Sequence, residues 1–111
     1  MEKLKECQSN DGIIIHLLDR IGEYALVSNH TTDGNYFGGF EVHKIKKRIE
    51  TNTVIGNVKI HFNAKECYRS SSEFGKNAFH YPNLDLVYID FPQFRQNNDK
   101  IIKKLSKIQG H

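Results

Sequence analysis

Phe94, Ile101, Ile102, Leu105 and Ile108 recur at helical spacing, with Lys100, Lys103, Lys104 and Lys107 standing off that stripe. A helix with one apolar stripe must bury it, so the rest of the chain has to supply a matching apolar layer. Pro92 suits a first helical turn, and Asn97-Asn98-Asp99 marks a weak point where the helix proper begins. The late lysines complement the negative end of the helix dipole, and Gly110 reads as its stop.

The segments upstream read as strands. Ile13, Ile14, Ile15, Leu17 and Leu18 form a β-branched run that is apolar on both faces, as a central strand requires. Asp19-Arg20-Ile21-Gly22 turns it back into Tyr24-Ala25-Leu26-Val27. The Asp33-Gly34 step sets up a second hairpin, to Phe37–Ile45, whose Gly38-Gly39 predicts a loosened or bulged strand entry. Val54–Phe62 is expected to be one half-exposed strand, with Val58, Ile60 and Phe62 on one side and Asn57, Lys59 and His61 on the other. Ser70 and Glu73 have capping-box spacing for a short helical turn near 71–76, with Phe74 as its anchor. Leu84–Phe91 reads as another interior strand, Asn63–Ser72 as irregular, and residues 1–11 as a flexible arm or short helix.

The sum is an α+β domain spanning 1–111: a mostly antiparallel sheet of about five strands, packed on one face by a single C-terminal amphipathic helix. The other face is expected to stay open to a partner. With 38% hydrophobic and 26% charged residues, the composition is that of an ordinary globular chain. The longest apolar run, Gly12–Leu18, is broken by His16 and is too short to span a membrane. The start of the chain lacks the pattern of a secretory signal, so a cytoplasmic protein with no membrane partner is expected. Cys7 and Cys67 form no C-x-x-C pair, which supports neither a zinc ribbon nor a disulfide framework.

Three groups of residues could carry function. None of the six histidines shows H-x-x-x-H, H-E-x-x-H or H-x-H spacing, so no metal, cofactor or catalytic residue is assigned. His43 and His61 each fall on the polar side of an expected strand. Converging beside Glu41 or Glu66, they would make the acid–base pair of a small histidine-dependent nuclease. Lys44, Lys46, Lys47 and Arg48, joined by Lys59, form a basic pole suited to RNA or single-stranded nucleic acid. Tyr36, Phe37 and Phe40 surround the Gly38-Gly39 step as aromatic anchors for a protein partner.

The segments Tyr24-Ala25-Leu26-Val27, Phe40-Glu41-Val42-His43-Lys44-Ile45 and Ser71-Ser72-Glu73-Phe74-Gly75-Lys76-Asn77-Ala78-Phe79 resemble small proteins of phages and mobile elements across residues 24–81. The resemblance implies a non-enzymatic module that binds a host or phage component, inhibitors of host defence proteins included. It carries over no site residues. A protein partner is therefore the first expectation and nucleic acid the alternative, with the chain acting as a monomer or a homodimer.

Overall fold

The computed structural model describes residues 1–10, 12–31 and 37–108. Tyr36, the Asp33-Gly34 step and Gly110 lie outside the described residues, as does the side chain of Phe37. The elements run β1 (Cys7–Asn10), β2 (Ile13–Ile21), β3 (Tyr24–Thr31), β4 (Phe37–Lys44), β5 (Lys46–Arg48), β6 (Thr51–Ile55), β7 (Val58–Phe62), β8 (Lys65–Cys67), β9 (Ala78–Tyr81), α1 (Leu84–Asp90) and α2 (Asn98–Ile108). Short 3-10 turns occupy Ser71–Glu73 and Pro92–Asn97.

The main sheet is five-stranded and antiparallel, in the order β1-β2-β3-β4-β9. Both expected hairpins are present. The register shifts between Asn29 and His30, opposite Gly39 and Phe37, which is the bulge that Gly38-Gly39 foretold. Glycine is required there: Gly39 has φ 102°, and a Cβ on it would lie 2.7 Å from His80 Nε2.

One face of the sheet carries Leu18, Leu26, Phe40, Val42 and Tyr81, covered by Val87 and Tyr88 of α1, Phe94 of the second 3-10 turn and Ile101 of α2. The helical stripe therefore covers the sheet as expected, with α2 beginning at the Asn97-Asn98 step. The opposite face is not open. Ala25 and Val27, both fully buried, pack with Leu17, Ile45, Leu4 and Tyr68, so the N-terminal segment and the chain around 65–69 cover it. A central strand that is apolar on both sides needs cover on both.

Four local expectations are corrected. The run Leu84–Phe91, expected as a strand, is the helix α1 (Leu84–Asp90) with Phe91 as its C-cap, because Leu84, Val87, Tyr88 and Phe91 fall at i, i+3, i+4 and i+7, and Asn83 caps it by accepting the Leu86 N–H at 3.0 Å. Residues 7–10 are an edge strand rather than an arm. Lys65–Cys67, read as irregular, pairs with β5. Val54–Phe62 is a hairpin and not one strand, turning at Gly56, whose φ is 63°.

Candidate functional site

The strands β5 to β8 form one feature. Their pairing keeps a single register, from Lys46 with Cys67 to Arg48 with Lys65 and on from Thr51 with Phe62 to Ile55 with Val58. Ile49 and Glu50 thus stand opposite Ala64 and Asn63, where Arg48 bridges the interrupted ladder by donating to the Asn63 carbonyl at 2.9 and 3.2 Å. The result is a two-stranded ribbon of about 30 Å at the usual rise per residue. Beyond its base it joins no other strand among the described residues. The molecule measures 50 × 31 × 23 Å, as an arm on a smaller body would.

The ribbon is amphipathic. Side chains of paired residues share a face, so Thr51, Thr53, Ile55, Val58, Ile60 and Phe62 line one side of β6–β7. On the other side His61 is held by Asn52 at 2.6 Å, Asn63 at 2.9 Å and Glu50 at 3.2 Å, next to Lys59 and Val54. A shallow depression of about 540 Å³ is lined by Asn52, Thr53, Val54, Lys59, Ile60 and His61 on this part of the ribbon. Ile49, Val54, Ile55, Val58 and Phe62 are half of the large apolar side chains exposed among the described residues. Reading 54–62 as a single strand hid this tip. The Gly56-Asn57 step between two β-prone runs was the signal for it.

The basic residues gather here. Residues 44–69 hold seven Lys and Arg against two acids, while the whole chain carries only +3, so the remainder is net acidic. Lys46, Lys47 and Lys59 are exposed, Arg48 is half-buried with its guanidinium 5.3 Å from the Phe62 ring centre, and Lys44 is half-buried at the end of β4.

The structure does not bring His43 and His61 together. His43 lies in the main sheet, 1% exposed, between the rings of Tyr68 and Phe74. Its Nδ1 accepts the Arg69 N–H at 3.0 Å, so the ring proton sits on Nε2 and is donated to Glu41 at 2.8 Å. Both nitrogens are occupied, and none of these partners contacts His61. Glu41 also accepts from Asn29 at 2.6 Å. Burial pushes its carboxyl up, but the hydrogen bonds from His43 and Asn29 outweigh burial and hold it below the ordinary value. Phe40, expected as a surface anchor, is 4% exposed and belongs to the core.

Among the described residues no group of three His, Cys, Asp or Glu could hold a metal ion. No helix formed by them is long and apolar enough to cross a membrane. No protein-family model, no curated protein and no solved structure matches this chain.

Proposed function

We propose that this chain is a non-enzymatic binding protein that docks the open apolar face of the β5–β8 ribbon on a protein partner. The observation that carries the reading is the exposure of Ile55, Val58 and Phe62 on one face of two strands lying outside the main sheet, with Ile49 exposed just before them. A two-stranded ribbon is marginal in water until a third strand or another surface covers its apolar side. Covering side chains of this kind contributes roughly 1–2 kcal/mol each toward offsetting the cost of association. The lysines around the ribbon base favour a partner with an acidic rim. Under the likeness to phage and mobile-element proteins, that partner is a host component such as a defence protein.

A photo-cross-linking side chain at Val58, in the full chain expressed in its source cells, tests the reading. The expected product is one discrete protein adduct, identified by mass spectrometry, competed by unlabelled chain and lost with Ile55→Asp. No adduct, or adducts to nucleic acid alone, would overturn it. Nucleic-acid binding is the second reading, favoured by the charge surplus of residues 44–69. It requires affinity for an oligonucleotide that falls steeply with salt.

A further inference from the structure

We propose that the β5–β6 edge of the ribbon accepts an added strand from the partner, an extended segment that is aliphatic against β6 and acidic against β5. This rests on the ribbon being the docking element and adds where the partner sits and what its chemistry is.

The two long edges of the ribbon are not equivalent. On the β8 side, Glu2 donates its N–H to the Ala64 carbonyl at 3.0 Å and accepts from the Glu66 N–H at 2.8 Å. That edge is occupied at its base. No backbone hydrogen bond from another described residue reaches the outer edge of β5 or β6. Unpaired N–H and C=O groups in a row are a template for another strand, and natural edges are blunted by charge or proline. Thr51-Asn52-Thr53-Val54-Ile55 contains neither.

Charge along this edge is graded. Lys46, Lys47 and Arg48 stand at its base, Glu50 follows with its carboxylate 3.2 Å from His61 Nε2, and Thr51–Ile55 beyond it is uncharged and β-branched except at Asn52. An antiparallel strand laid beside it meets the aliphatic end first and the basic end last, so its own sequence should run from aliphatic to acidic. A second copy of this chain matches poorly, because antiparallel pairing sets the basic Lys46–Arg48 of each copy beside the uncharged end of the other and gives neither an acidic partner.

The probe is a fluorescein-labelled peptide of about ten residues, matching the length of one ribbon strand, with alternating Thr and Val followed by Glu. Anisotropy with the full chain should show binding at low salt that weakens roughly tenfold or more in high salt. Replacing its Glu by Lys should abolish binding. N-methylating alternate amides in the phase that faces β6 should weaken it at least tenfold, because the ladder is made by backbone groups. Lys46→Glu with Lys47→Glu should do the same, while Ile89→Asp on α1 should change nothing. Three results would each overturn the proposal: no binding at low salt, equal binding of peptides methylated in either phase, or a dimer in sedimentation that excludes the peptide. If the peptide fails but the Val58 cross-link persists, strand addition is wrong and docking stands; if both fail, both are wrong.

Discussion

Arg20 on β2 holds Glu66 on β8 through both ends of its guanidinium, Nη2 reaching Oε2 at 2.7 Å and Nη1 reaching Oε1. The pair joins the base of the ribbon to the main sheet. The same carboxylate accepts the Leu4 N–H at 3.1 Å, so three segments distant in sequence meet on one side chain. The Arg20 hydrogen bonds, helped by Leu4, outweigh burial and bring the Glu66 carboxyl down to about 2.

Glu66→Gln should therefore cost about 1–3 kcal/mol at neutral pH, measured by urea unfolding. Because the folded value lies below the ordinary 4.5, the carboxylate's contribution is whole above pH 4.5 and drains as pH falls from there toward about 2. The gap between wild type and variant should close over that window. A gap that persists unchanged through it would show that the loss came from packing and not from the ion pair.

Much of the main sheet was legible because its signals are local: the Ile13–Leu18 run, the chain reversal at Asp19–Gly22, although Asp19–Ile21 proves to be strand and the turn falls at Gly22-Glu23, and the glycine pair at 38–39 each constrain the residues beside them. The α2 stripe was legible for the same reason. Leu84–Phe91 was misread because alternation and helical spacing overlap in a short run that is apolar nearly throughout, and only the Asn83 cap separates them. The ribbon was missed because β8 becomes a strand only through its pairing with β5, a contact that nothing in Lys65-Glu66-Cys67 announces. His43 looked exposed because its neighbours Glu41 and Lys44 are charged; its burial depends on Tyr68 and Phe74 arriving from elsewhere.

His16 and His30, with ring centres 5.2 Å apart, supply a second pH dependence. Burial first, then the positive charge of Lys104 on His16 and of His16 on His30, lowers both below the ordinary 6.5. The unfolded chain then takes up protons before the folded one, so stability is complete above 6.5 and falls as pH drops through the lowered values. Thermal unfolding between about pH 7.5 and 5 should show this fall, and His16→Gln should reduce it. An equal fall in the variant would assign the effect to other groups.

Phe40→Ala should behave as a core truncation, losing about 3–5 kcal/mol in chemical unfolding, since its ring lies between β3, β9 and the helical layer. A variant that keeps its stability but loses a partner would restore the surface role that its burial removes.

The ribbon should be the reverse case. Ile55 and Val58 are 62% and 61% exposed, so changing either to Asp in the isolated chain removes little buried apolar area and should shift stability by no more than about 0.5 kcal/mol. Amide exchange separates this from mere tolerance. The amides of β3 sit between two strands under two apolar layers, and their exchange should require near-global opening. Those of β6 have one neighbouring strand, so they should open locally and exchange orders of magnitude faster. A covering partner would slow exchange in β6 and β7 while leaving β3 unchanged. Exchange in β6 as slow as in β3, or unfolding of the whole chain by Val58→Asp, would mean that the ribbon's apolar face is already covered in the isolated molecule, and the ribbon would then be part of the fold rather than an arm extended to a partner.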